Sequence, residues 1–600
     1  MMRAQKNKDG STSDRPQETQ IKKSGIRDRL WPINIRRLKA HGIPGTEILR
    51  MPMTIWASSI IINVLGIGLP ILILQVYDRI IPNQSLNTLL LLGLGFIGVL
   101  FLEFLLRLGR AYTLGWAATQ FQMTVSQMAI KRLLTAPLEV VGQDRTQTQL
   151  DRLTSISRLA DFFGGPNSLL VIDLPFVIIL IATMGLIAGN LVFIPLCVLL
   201  VFAGLTLRYG RELGEQFEAR EVQDNRTYDF VGECLKGVIT LKGFAMEPFM
   251  LRRFERLQNS RAITNYRTIM ASTSAQSVSA ILGNVTIIAT VSVGAIFAVV
   301  GDLSIGTLAA CTLLSGRIIQ PVVRFAGLWS EFQKLELALQ EASDLFRIEQ
   351  RSTKFITDGR EGAPTIQLMN VGFQENGKSI LGPMNLTIDG FECFGITGPD
   401  NEAKSLLLKT VTGLYAPHSG EVLCNNIDIQ HYRNGNPGSI VMVGPKSSVF
   451  DGTILENFTL FGTGPTVDEV RWAAQMTGVD YDINCLPQGY DTPIGDGAME
   501  KLPQGLIRRL LLTRAIAMLP KVLVLDEPQM FLDNSADKKM VQCLSALRHN
   551  MTIIISTMRP SYFPLADRMF SIEDGQVTQI GGANHSHYSQ QGSVELPKGA

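Results

Sequence analysis

The chain has 600 residues, of which 46% are hydrophobic and 18% charged, and its net charge is +2. An average soluble chain carries about 25% charge, so this one has too little to cover a soluble surface, and its mean hydropathy is positive at +0.18. These values exclude a disordered chain or a nucleic-acid-coating protein and argue against a purely soluble enzyme.

Residues 1–50 form a basic arm that includes Arg3, Lys6, Lys8, Arg15, Lys22, Lys23, Arg36 and Arg37. It has no apolar core ahead of a cleavage site, so a signal peptide is not expected. Apolar runs then follow at 54–76, 86–107, 168–187, 190–207, 276–300 and 304–325, with a Gly189-Asn190 turn signal between the third and fourth. About 20 apolar residues cross a hydrocarbon core as a helix, so six spans are expected over 51–345. The connections at 77–85, 188–190 and 301–303 are short, with Arg79 their only basic residue, whereas 108–166 and 208–275 are long and rich in Arg and Lys. Positive residues stay in the cytoplasm, which predicts cytoplasmic termini and long connections. Each long connection would fold as two helices reaching about 45 Å at 1.5 Å per residue. Short helices near Thr148–Leu159 and Thr227–Leu235 would touch the soluble domain. Arg317, inside the last span, is either a snorkelling or bundle-facing charge or part of a transport pathway.

Residues 346–362 read as a linker, 363–580 as a second domain and 581–600 as a loose tail whose His585 and His587 are read as solvated. The seven cysteines are scattered, with no C-x-x-C pair, and read as reduced thiols used as small apolar residues. In the second domain short β-branched runs alternate with helical ones. A strand Phe394-Gly395-Ile396-Thr397 leads into Gly398, then Pro399, Asp400, Asn401, Glu402, Ala403, Lys404, Ser405 and Leu406. The spacing is that of G-x-x-x-x-G-K-[ST], with Ala403 in place of the second Gly. Backbone N–H groups of such a loop hold phosphates. Lys404 would reach the terminal phosphates and Ser405 would ligate Mg²⁺. Farther on, the apolar strand ending in Asp526 and Glu527 supplies a carboxylate for the Mg²⁺ shell and one to polarise a water. The fold class is therefore an α-helical six-span membrane domain fused to an α/β phosphate-loop domain.

On these residues the chain resembles the ATP-binding-cassette (ABC) exporter half-transporters over about 50–580. Gly413-Leu414-Tyr415-Ala416-Pro417, Phe450-Asp451-Gly452-Thr453, Asp533 and Ala566-Asp567-Arg568 also fit. Val76-Tyr77-Asp78-Arg79, Asp173-Leu174-Pro175-Phe176 and Leu314-Ser315-Gly316-Arg317 resemble the type I secretion branch. The resemblance implies ATP and Mg²⁺ as cofactors, a second ABC half-transporter as dimer partner, a periplasmic adaptor, an outer-membrane channel, a polypeptide cargo and no nucleic acid. It places the chain in a bacterial inner membrane. It assigns Glu527 the catalytic role, Gly398 and Asp400 to Leu406 the nucleotide, and Ser405 and Asp526 the metal.

Five motifs depart from the family. Glu375 falls near the adenine-stacking aromatic, with Phe373 close by. Asn401 and Ala403 replace glycines of the phosphate loop. Lys446 or Pro445 stands where a glutamine is expected, Pro503 interrupts the signature L-S-G-G-Q, and Met558 takes the place of the switch histidine. A degraded nucleotide site is therefore expected. A non-hydrolysing scaffold or regulatory subunit, or an exporter of lipids or small molecules, are the alternatives.

Overall fold

The computed structural model describes residues 42–44, 47, 53–142, 146–348, 350, 356–357, 362–375, 378–495 and 502–581. Nearly all of the basic arm, most of the linker, and the tail with His585 and His587 lie outside the described residues. The chain divides into two units, one within 1–134 and 144–348 and the other within 135–143 and 349–600.

The first unit is helical. Helix α1 (Met53–Gly66) and α2 (Gly68–Gln75) run on through a π-helical turn to Ile80. There follow α3 (Leu86–Thr135), α4 (Thr146–Gly164), α5 (Pro166–Asp173), α6 (Val177–Ala188), α7 (Phe193–Lys236), α8 (Glu247–Val300), α9 (Ile305–Gly327) and α10 (Trp329–Arg347). Apolar composition continues without Pro into the polar part of α3, so the 50-residue helix reaches about 75 Å at 1.5 Å per residue. The spans run on unbroken into the connections, so each long connection holds two helical arms as expected, 108–135 with 146–164 and 208–236 with 247–275.

Among the described residues five helices are long and apolar enough to cross a membrane: Met53–Ile80, Leu86–Thr135, Pro166–Phe202, Glu247–Val300 and Ile305–Arg324. The expected count of six is not reproduced, because the runs at 168–187 and 190–207 fall within one stretch. A 3-10 turn at Gly189–Val192 interrupts that stretch, and Gly189 adopts φ 51°, a conformation glycine takes without a Cβ penalty. Leu90, Leu91, Leu94, Ile97 and Phe101 of α3 are exposed, as a lipid-facing surface requires.

Several charged side chains inside this unit are paired. Arg110 of α3 is 6% exposed. Its guanidinium donates to Asp173 Oδ1 of α5 at 2.7 Å, to Asp173 Oδ2 at 3.2 Å and to Ser59 Oγ of α1 at 2.7 Å. Arg317 donates to the Gly66 carbonyl at the end of α1. Asp78 accepts from the Gly306 N–H at 2.9 Å and from the Ser304 hydroxyl. A Cβ at Gly306 would lie 2.6 Å from Asp78, so this approach needs glycine.

The second unit is α/β. A six-stranded sheet has the order β12-β11-β3-β10-β9-β6, formed by β3 (Cys393–Thr397), β6 (Ile440–Val443), β9 (Val522–Asp526), β10 (Thr552–Ser556), β11 (Arg568–Glu573) and β12 (Gln576–Gly581). The strands from β11 to β6 are parallel. The central ones bury both faces, as parallel strands do. Leu523, Leu525, Ile553 and Ile555 enter one apolar core, and Val522, Val524 and Ile554 the other. A four-stranded sheet, order β2-β1-β4-β5, uses β1 (Ile366–Glu375), β2 (Lys378–Ile388), β4 (Ser419–Cys424) and β5 (Ile427–Asp428), and β7 (Gly452–Thr453) pairs with β8 (Pro493–Ile494).

The two short helices expected near Thr148–Leu159 and Thr227–Leu235 are elsewhere. Those segments lie inside the continuous helices α4 and α7. The short helices are Leu138–Val141 and Val238–Gly243, bounded by Pro137 and Gly142 and by Gly237 and Gly243. Segment 135–143 belongs to the second unit. There Glu139 Oε1 accepts the Ala416 N–H at 2.6 Å.

Candidate nucleotide site

Strand β3 delivers the chain to Gly398, whose φ is 123°. A Cβ there would lie 2.2 Å from the Ile572 carbonyl, so only glycine fits. Helix α11 (Asn401–Val411) follows at once, with Asp400 as its N-cap. The Asp400 Oδ1 accepts the Ala403 N–H at 3.0 Å, and the Lys404 N–H donates to the Asp400 carbonyl at 3.2 Å. Lys404 is 1% exposed and its Nζ donates to the Gly398 carbonyl at 2.7 Å. Burial pulls its pKa below the usual lysine value, against the opposing charges of Glu527, Asp526 and Asp400. Ala403 is fully buried, packed with Leu407 and Leu408, whereas Asn401 and Glu402 are exposed. Glu402 therefore faces solvent.

The sheet brings Asp526 beside this helix. Ser405 Oγ donates to Asp526 Oδ2 at 2.6 Å. Glu527 follows in a left-handed conformation, φ 50°, which costs a non-glycine residue about 1–2 kcal/mol. Its N–H donates to the Ser556 carbonyl at 2.9 Å. What fixes this turn is Arg508 of α12 (Gln504–Ala517), a residue the sequence did not single out. It is 4% exposed and donates to the carbonyls of Gly444 at 2.7 Å, Asp526 at 2.8 Å and Glu527 at 2.8 Å.

Each position that departs from the family motif has its own surroundings. Pro503 is the N-cap residue of α12 and gives no side-chain cap. Gly505 runs so close to the Phe531 carbonyl that a Cβ would lie 2.7 Å from it. Met558 is 54% exposed. Beside it Thr557 Oγ1 donates to Gln529 Oε1 at 3.0 Å and accepts the Arg559 N–H at 3.0 Å. Asp533 caps α13 (Asn534–Leu547) through the Ala536 N–H. Glu375 ends β1, with its side chain outside the described residues. Phe373 is only 6% exposed, which leaves little face for stacking a base. A cavity of about 1070 Å³ opens beside the loop, lined in part by Asn401, Glu402, Ser405, Leu406, Lys409 and Lys446.

The structure thus brings Gly398, Asp400, Lys404, Ser405, Asp526 and Glu527 together as the spacing predicted. Ser405 and Asp526 have the oxygen chemistry of a Mg²⁺ shell. A triphosphate makes a further demand on the loop. Such a site needs N–H groups free to point at phosphate oxygens. Here those of Ala403 and Lys404 and the Lys404 ammonium already have partners within the chain.

An apolar helical unit joined to an α/β unit with a Lys-Ser loop and a strand-end Asp-Glu defines a membrane transporter of the nucleotide-domain class. Residues 53–322 match the ABC transporter transmembrane region and residues 381–530 match the ABC transporter family; the chain belongs to the ABC transporters, with both parts on one polypeptide. It is 24% identical over 526 residues to the cyclolysin secretion/processing ATP-binding protein of Bordetella pertussis, covering 87% of this chain and 74% of that protein. The alpha-hemolysin translocation ATP-binding protein of Escherichia coli O157:H7 is 24% identical over 541 residues, covering 89% and 76%. The leukotoxin translocation ATP-binding protein of Mannheimia haemolytica is 27% identical over 532 residues, covering 87% and 74%. A solved bacterial Atm1-family ABC exporter with ATP bound superposes with a TM-score of 0.72 at 18% identity, covering 92% of this chain and 96% of that one. That likeness shows an ABC exporter fold.

Proposed function

We propose that this chain is one half of a type I secretion exporter that moves polypeptide across a bacterial inner membrane. The observation that carries the proposal is the likeness, over 87–89% of the chain, to proteins named for cyclolysin secretion and for alpha-hemolysin and leukotoxin translocation. Both termini and the basic connections lie in the cytoplasm, and the break at Gly189 divides Pro166–Phe202 into two spans, giving six. A second ABC half completes the transporter, which works with a periplasmic adaptor and an outer-membrane channel. This chain's own nucleotide site is degraded, so ATP and Mg²⁺ act chiefly through the partner half, whose phosphate loop meets Pro503 of this chain.

The chain's own residues would then act mechanically. Arg508 holds the Gly444 turn and the Glu527 turn as one piece. Glu139, on a short helix at the end of α3, holds the Ala416 loop. Nucleotide-domain closure on the partner's ATP would bias the spans between two states. The internal bonds of the phosphate loop favour a second reading, a non-hydrolysing regulatory subunit of such an exporter.

The test is deletion of the chain in its own cell, with the extracellular proteins compared before and after. Loss of one or a few polypeptides, restored by the wild-type chain, supports polypeptide export. An unchanged set of extracellular proteins with a changed set of lipids or small molecules overturns it.

A further inference from the structure

The residues that replace the loop glycines form a helix start. Asp400 is a favoured N-cap residue, and Glu402 places a negative charge in the first turn, where the helix dipole favours it. Ala403 and Glu402 are good helix formers, whereas glycine at a helical position costs about 1 kcal/mol relative to alanine. The chain follows these preferences and is helical from Asn401 onward. Between Pro399 and Ser405 no residue has a positive φ, although an anion-holding nest alternates right- and left-handed residues. Three donors of the segment are taken internally: the Ala403 N–H by the Asp400 carboxylate, the Lys404 N–H by the Asp400 carbonyl and the Lys404 ammonium by the Gly398 carbonyl. Ala403 also fills the core with its methyl group, at 0% exposure, so the turn is anchored from below.

We propose that Pro399–Lys404 is a phosphate loop wound shut into the first turn of its helix, with Asp400 as an internal anion in place of phosphate oxygens, so that this site takes no nucleoside triphosphate. The inference rests on the degraded-site part of the proposed function and is independent of what is exported. The closure is a property of four consecutive side chains and is reversible by changing them. Glycine at 401 and 403 would return freedom to the backbone, and alanine at 402 would remove the charge.

The test is equilibrium binding of methylanthraniloyl-ATP with Mg²⁺ to the full-length protein in lipid nanodiscs. It compares the wild type with N401G/E402A/A403G and with Asp400→Asn, and each variant's thermal unfolding is recorded to establish that it is folded. Asn caps as well as Asp, so Asp400→Asn keeps the helix start while removing the charge, and it serves if the triple variant does not fold. The wild type is expected to show no saturable binding. The triple variant is expected to bind at least about tenfold more tightly than the wild-type limit, which is about 1.4 kcal/mol, and Asp400→Asn to gain less. Wild-type binding as tight as that of the triple variant overturns the proposal. A folded triple variant that still binds nothing also overturns it, because the obstruction then lies outside the loop. A wild type that binds Mg-ATP while its deletion abolishes secretion overturns the closure and leaves the export reading standing. A wild type that binds nothing while its deletion leaves the extracellular proteins unchanged does the reverse.

Discussion

The Asp400 carboxylate accepts the backbone N–H of Ala403 at 3.0 Å, and this bond marks where α11 begins. It joins residues three positions apart, as an N-cap does. Asp400→Ala would leave that N–H without its partner and lower the stability of the nucleotide domain by about 1 kcal/mol, while Asp400→Asn would change it little. Thermal unfolding of the two variants distinguishes a cap from a charge effect.

Arg508 is expected to be the costliest single position in the second unit. Its guanidinium serves the carbonyls of Gly444, Asp526 and Glu527, and hydrogen bonds to charged groups contribute about 1.5–3 kcal/mol each. Arg508→Met would abandon all three and cost more than about 3 kcal/mol. Arg508→Lys, a compact ammonium without the planar fork, would recover part of the loss. Calorimetry on the full chain reads the difference.

In the first unit, Arg110 and Asp173 should show strong coupling in a double-mutant cycle. Removing one partner leaves a charge inside a span, for which buried pairs lose about 3–5 kcal/mol. Asp173 is one-quarter exposed at its side chain, so a value at the low end is expected. Arg110→Met together with Asp173→Leu should be more stable than either single variant. Additive losses would show that the pair acts as two independent surface charges.

The thiols divide by burial. Burial pushes Cys393 and Cys543 up to about 12, and the thiolate is the reactive form. Both should resist alkylation at pH 8 in the folded protein, while exposed Cys485 reacts. Because the folded-state values are raised, their contribution to stability is fully present below about pH 9. It is lost as pH rises toward 12, where the unfolded chain has already given up its protons. A pH titration of thermal stability should fall on the alkaline side and gain nothing from these groups in acid.

The fold was legible where the signal was local. Apolar runs of span length gave the membrane helices, and the Lys404-Ser405 and Asp526-Glu527 pairs gave the phosphate-loop domain. The short helices were misplaced by about ten residues, although Pro137, Gly142, Gly237 and Gly243 bracket both of them and are ordinary helix punctuation. The break at Gly189 is legible as a turn signal, and the chain turns there through a 3-10 segment. The helix start at Asn401 is also legible in Asp400, a favoured N-cap residue, and in Glu402, an acidic residue suited to the first turn. Arg508 and Arg110 were not legible. Arg508 reaches Gly444 across 64 positions and Arg110 reaches Asp173 across 63, and only the folded sheet and helix bundle bring these pairs together.

The most direct test of the proposal that this chain's nucleotide site is degraded is steady-state ATP hydrolysis by the purified full-length chain, alone in lipid. No Mg²⁺-dependent turnover above that of Glu527→Gln is predicted. Turnover of about 1 s⁻¹ or more, within the usual range of enzymes, and abolished by Lys404→Ala, would contradict it.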